Sequence, residues 1–205
     1  MATRSSNGLA QFCSTLEERP GLAILDFARA SQSTVSFVTN YGHRLYSEDF
    51  LEQLDHSFSA EALEPPLSET VSRDPLQNQS NPLLVSRFFE SALNFTDGSF
   101  DGALIWDSLE FVAPPLLQAV VTKLHRVLQP GASLFAIFHA PENHTSVATY
   151  GFRIHDSKTL ELVQGPARCP AQVFNNRAIE KLFQDFASVK FFLTRDHLRE
   201  VVVKR

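Results

Sequence analysis

Cysteine is almost absent from this 205-residue chain. Cys13 and Cys169 are too far apart for a C-x-x-C metal or redox site, so two reduced thiols and no metal centre are expected. Basic residues are in deficit, 18 against 23 acidic, and form no long runs; a net charge of −5 leaves no footprint for a phosphate backbone. No nucleic-acid partner is expected. No leader peptide or apolar run of spanning length is found, which argues against a membrane partner and for a soluble, cytoplasmic protein. Glycine is missing where a nucleotide site most needs it. No G-x-G-x-x-G occurs, and "LDFARASQS", Leu25 to Ser33, has no glycine although it follows a short apolar run. A nicotinamide-dependent oxidoreductase is thereby disfavoured. There is no internal repeat.

What is present is enough apolar surface for one core of ordinary size: 43% hydrophobic residues, 18 of them Phe, within one domain spanning 1–205. Leu9, Phe12, Cys13 and Leu16 fall on one side of a helix within residues 1–20, stopped by Pro20-Gly21. Leu22 to Phe27, apolar but for Asp26, reads as a first strand buried on both faces. Val35, Phe37, Val38 and Tyr41 fit a helix ended by Gly42, and His43 to Asp49 a second strand. Residues 55–82, rich in Ser, Glu, Gln and Pro, read as a long mobile loop or a poorly anchored helix. A short third strand is predicted in Leu83 to Phe89 and a fourth in Ala103 to Trp106. After Pro114, the stripe Leu117, Val120, Val121, Leu124 and Leu128 predicts a helix closed by Pro130-Gly131, and Ser133 to Phe138 a fifth strand. Asn175 or Asn176 caps a helix carrying Ile179, Leu182, Phe183 and Phe186. The closing runs "VKFFLT" and "REVVVKR" are separated too briefly for anything but antiparallel pairing. The Phe residues of this tail are expected in the core. The predicted fold is α/β: a mostly parallel seven-stranded sheet, helices on both faces, and an antiparallel C-terminal hairpin.

Ligands of open α/β sheets bind beyond the carboxyl ends of the strands. Asp26, Asp49, Asp107 and His139 stand there, with 23 residues from Asp26 to Asp49. Four stretches lie in the order of a known family. "ILDFARASQ" is similar to "VLDLGCGTG", "GHRLYSEDF" answers a "GHRV...D" pattern, "FTDGSFDGALIWDSLEFV" is similar to "FPDGSFDLVLSSDVLEHL", and "LHRVLQPGASLFAIF" to "LHRVLKPGGRLLISF". The chain so resembles the small, single-domain class I S-adenosylmethionine-dependent methyltransferases over roughly residues 20–205, with a Rossmann-like sheet. The resemblance implies S-adenosyl-L-methionine as cofactor and a small-molecule methyl acceptor. It gives Asp26 to the network around the methionine amino group and Asp49 to the ribose hydroxyls, with Glu48 competing for that role. Glu90, or else Asp97, stands near the adenine. Asp107, preceded by Trp106, stands near the meeting point of donor and acceptor. An acid at a strand end also has a purely structural use, capping the following helix.

The departure from the family is the first turn. Its three glycines fall at Ala28, Ala30 and Gln32, of which Gln32 is the most intrusive replacement, since glycine there permits positive φ and close backbone approach. The turn takes a different path, binds the cofactor weakly, or has abandoned it. Arg29 and Ser31 offer a guanidinium and a hydroxyl to a carboxylate at a helix start. His139 is the candidate general base; His144, five residues on, does not make a helical metal pair with it. Two functions follow as expectations: methyl transfer to a small molecule, or a non-catalytic binding or scaffold protein on the same fold. Oligomeric state is not legible.

Overall fold

A computed structural model describes residues 2–17, 19–59, 72–140, 146–194 and 198–205. Its centre is a six-stranded sheet of β2 (Ala23–Asp26), β3 (Arg44–Ser47), β4 (Phe100–Trp106), β5 (Leu128–His139), β8 (Ser188–Phe192) and β9 (Leu198–Lys204), in the order β3-β2-β4-β5-β9-β8. β3, β2, β4 and β5 run parallel, β9 is antiparallel to β5, and β8 is antiparallel to β9. The parallel order and closing hairpin are as expected. The connection at 195–197 lies outside the described residues, as do His144 and residues 60–71 of the predicted mobile segment.

Helices cover both faces. On one, α1 (Asn7–Leu16) and α2 (Gln32–Asn40) set Leu9, Phe12, Cys13, Leu16 and Val38 against Ile24, Leu104 and Phe135. On the other, α3 (Phe50–Phe58), α5 (Pro82–Ser91), α6 (Pro114–Val127) and α7 (Asn176–Leu182) bury a second cluster that includes Phe50, Phe88, Leu124 and Phe183. The stripe Leu117, Val120, Val121 and Leu124 is buried along α6, and Asn175 caps α7 by accepting from the Ala178 amide at 2.8 Å. Gly42 ends α2's excursion with φ +78°, a conformation costly for any side chain.

Three expectations are corrected. Leu83 to Phe89 is helix, not strand: Asn81 caps α5 and Pro82 opens it, and Leu84 and Phe88, spaced i, i+4, carry its buried side. The sheet therefore has six strands rather than seven. Residues on both sides of 60–71 are anchored, since α3 runs through residue 58 and the four-residue α4 (Pro75–Asn78) is fixed by buried Asn78, whose amide donates to the Phe58 and Ser72 carbonyls. Lastly, the N-terminal helix is preceded by a strand. β1 (Ala2–Ser5) pairs with β7 (Thr159–Arg168), which pairs with β6 (Val147–Asp156), forming a separate antiparallel sheet. Phe152, Ile154, Leu160 and Leu162 alternate inward and close the face holding α1 and α2.

Candidate functional site at the strand ends

Asp26 is the last residue of β2, and its side chain shares the face of Ile24, toward the second sheet. Its Oδ1 accepts from the Ala28 amide at 3.0 Å and from the Trp106 indole Nε1 at 2.6 Å. The carboxyl is 1% exposed. Burial pushes its pKa up to about 6, although both hydrogen bonds work the other way.

Trp106 reaches Asp26 because of a local irregularity. The β4–β5 register shifts between Leu104 and Trp106, and Trp106 takes φ +56°. A bulge of this kind re-aims a side chain, and a left-handed residue with a β-carbon costs about 1–2 kcal/mol. The stack on Phe152, with centroids 5.2 Å apart and planes 4° from parallel, the edge contact to Phe135 and the bond to Asp26 hold it there.

The β2–α2 turn follows a path that needs no glycine. Among the described residues the non-glycine residues with positive φ are Leu93 and Trp106, so Ala28, Ala30 and Gln32 all keep ordinary backbone. Gln32 does not intrude, contrary to expectation; it is the exposed first residue of α2 and donates to Ser36 Oγ at 3.0 Å. Ser31 is spent as the α2 cap, accepting from the Thr34 amide, and Thr34 in turn accepts from the Ile154 amide of β6 at 3.1 Å. Arg29 is exposed. Ala28 to Ser33 and Gly151 to Arg153 line a cleft of about 750 Å³ between the turn and the second sheet.

The second strand end is also committed. Asp49 caps α3 by accepting from the Glu52 amide at 3.3 Å, the structural use of a strand-end acid. Glu48 accepts from the amide of Leu93, itself at φ 58°, and burial raises its pKa. Between them and the sheet, Phe27 stacks on Phe50 at 4.3 Å and Phe50 meets Phe88 edge-on. Glu90 and Asp97 are not brought to the site. Glu90 is exposed on α5, where it accepts from Ser86 Oγ, and Asp97 pairs with Arg126 at the surface. The register that placed them assumed a third strand, and that segment is helix.

At the ends of β4 and β5, Asp107, Glu110 and His139 form a buried acid–base cluster. Glu110, in the 3₁₀ turn Ser108–Phe111, accepts from the His139 backbone amide at 2.9 Å and pairs with His139 Nδ1 at 2.5 Å. The sequence reading missed Glu110, although it lies three residues after Asp107 in the motif quoted for that acid. Burial of the imidazole opposes its protonation, but the Glu110 bond and charge outweigh this, with Asp107 assisting, and the pKa rises. Asp107 is pushed up to about 7 by burial, with the His139 charge pulling back. Among the described residues, His139 Nε2 and Asp107 Oδ2 are buried and make no hydrogen bond of ordinary geometry, although the Ala148 backbone favours protonation of His139 and the Tyr150 backbone opposes that of Asp107. The cavity beside His139, walled by Glu110, Val147 and Gln172, is about 10 Å³, the space of a single water at most.

Over residues 25–136 the chain matches the family model of the methyltransferase domain, and it belongs to that family. Solved structures agree in fold. A SAM-dependent methyltransferase from Methanosarcina mazei is 18% identical and superposes with a TM-score of 0.51, covering 91% of this chain and 93% of that one. Another from Archaeoglobus fulgidus is 11% identical with a TM-score of 0.51, covering 96% and 91%. No curated protein matches the chain.

The cofactor implied by the family, S-adenosylmethionine, does not fit the described arrangement at its methionine end. Oδ1 of the acid that the resemblance gives to the amino group already accepts an indole N–H, and both residues are buried.

Proposed function

We propose that this chain uses the methyltransferase fold as a non-catalytic binding or scaffold protein, closed to S-adenosylmethionine. The observation that carries this reading is that four polar side chains at the ends of the first two parallel strands, β2 and β3, and at the start of α2 make bonds within the chain. Asp26 holds Ala28 and Trp106, Glu48 holds Leu93, Asp49 caps α3 and Ser31 caps α2. Preorganised acceptors of a ligand site are left free for the ligand, whereas these would have to break bonds within the chain first, that of Asp26 to Trp106 being buried.

A second reading is favoured by one observation, the His139–Glu110 pair. A histidine oriented by a carboxylate, its far nitrogen making no hydrogen bond of ordinary geometry among the described residues, is the arrangement of a general base. In that reading the chain transfers a methyl group from S-adenosylmethionine to a small molecule, and His139 Nε2 takes the acceptor's proton. Titration calorimetry of the folded protein with S-adenosylmethionine separates the two. The non-catalytic reading expects no binding heat at about 1 mM ligand, and a micromolar Kd would establish the second reading instead.

A further inference from the structure

We infer that Trp106 is an internal stand-in for the methionine end of the cofactor, and that this one side chain closes the site. The inference deepens the non-catalytic reading and rests on it. In the ungapped match of "SFDGALIWDSLEFV" to "SFDLVLSSDVLEHL", Trp106 stands where the family stretch has serine. The bulge between Leu104 and Trp106 turns the indole toward β2. There its N–H donates to Asp26 Oδ1 at 2.6 Å, meeting the acid as the ligand's amino group would. The ring is 2% exposed, packed parallel to Phe152 and edge-on to Phe135.

The neighbouring cleft shows what the indole displaces. Its walls are the turn Ala28 to Ser33 and the β6 residues Gly151 to Arg153, so it lies along the segment that replaces the family's glycine turn. Phe152 belongs both to that wall and to the stack on Trp106. Removing the indole therefore joins the cleft to the space over Asp26 and returns the carboxylate to an incoming ammonium group. Ala28, Ala30 and Gln32 take no positive φ, so the turn holds no backbone strain that reversal would have to relieve.

The test compares S-adenosylhomocysteine binding to the wild type and to Trp106→Ser by titration calorimetry. The variant is expected to bind with a Kd of about 100 µM or tighter, and the wild type at least about tenfold more weakly. Micromolar binding to the wild type would overturn the closed-site reading and this inference together. No binding to either protein would leave the site closed but clear Trp106 of the closure, overturning this inference alone. If Trp106→Ser fails to unfold cooperatively, Phe152→Ala replaces it. Ligand is then expected to bind and to red-shift the emission of Trp106, the chain's single tryptophan. A Phe152→Ala protein that neither binds nor shifts would overturn the inference.

Discussion

Asp26, Asp107 and His139 are all easier to protonate in the folded chain than in the unfolded one. The two aspartates rise from an ordinary 3.8 to about 6 and about 7, mainly through burial. Between those limits the folded state binds more protons, so stability falls as pH rises. His139 has the same sign: its raised pKa contributes stability that is complete below 6.5 and is lost as pH climbs through the folded value. The thermal midpoint is therefore expected to be several degrees higher at about pH 5 than at about pH 8, and Asp107→Asn to flatten the difference. A midpoint that rises toward pH 8 would contradict these protonation states. The sequence showed where these residues stand, since strand ends are set by local pattern. It did not show what they touch. Asp26 and Trp106 are 80 residues apart, and their bond depends on a bulge that no spacing rule announces.

At the scale of elements, legibility followed periodicity. The closing hairpin and the α6 stripe as far as Leu124 carry strong local patterns and are as expected, but Leu128, expected on that helix, opens β5, and Pro130-Gly131, expected to close it, lie within that strand. Leu83 to Phe89 was misread because a short apolar run suits either a strand or a helix. Asn81-Pro82, an N-cap followed by a proline at the first helical position, was the signal that decides for helix. The second sheet was missed although "GFRIHD" and "LELV" alternate apolar with polar around an Asp-Ser-Lys turn, a hairpin pattern. Its attachment to the core was not legible at all. Glu200, fully buried in β9, accepts from the Gly8 amide at 2.7 Å and pairs with Arg4 at 2.9 Å, fastening β1 and α1 to the central sheet. Gly8 sits so close that a β-carbon there would lie 2.8 Å from Phe135. Removing one partner of such a buried pair strands the other, so Glu200→Ala is expected to cost about 3–5 kcal/mol in denaturant unfolding. A loss under about 1 kcal/mol would show that β1 and α1 are held by packing alone.

At the scale of the whole molecule, the chain belongs to the methyltransferase family, and the acids Asp26, Glu48 and Asp49 that the resemblance gives to a ligand make bonds within the chain. The fold was legible because ordered motifs and hydrophobic patterning both specify it. The fate of the site was not, because a glycine-free turn is compatible with a repaired cofactor loop and with an abandoned one. The proposed closed site rests on contacts from β4 and from the second sheet, through Trp106 and Phe152. The described helices include none long and apolar enough to cross a membrane. The cytoplasmic location read from composition accompanies the proposed scaffold role as a proposal.

The bond between Trp106 and Asp26 can be observed directly, because a chain with one tryptophan gives one indole N–H resonance. In a ¹⁵N-labelled sample that peak is expected to be shifted downfield, protected from solvent exchange, and unmoved by S-adenosylmethionine at about 1 mM. A peak that exchanges freely, or that moves on titration with the ligand, would contradict the claim that Trp106 holds the methionine place.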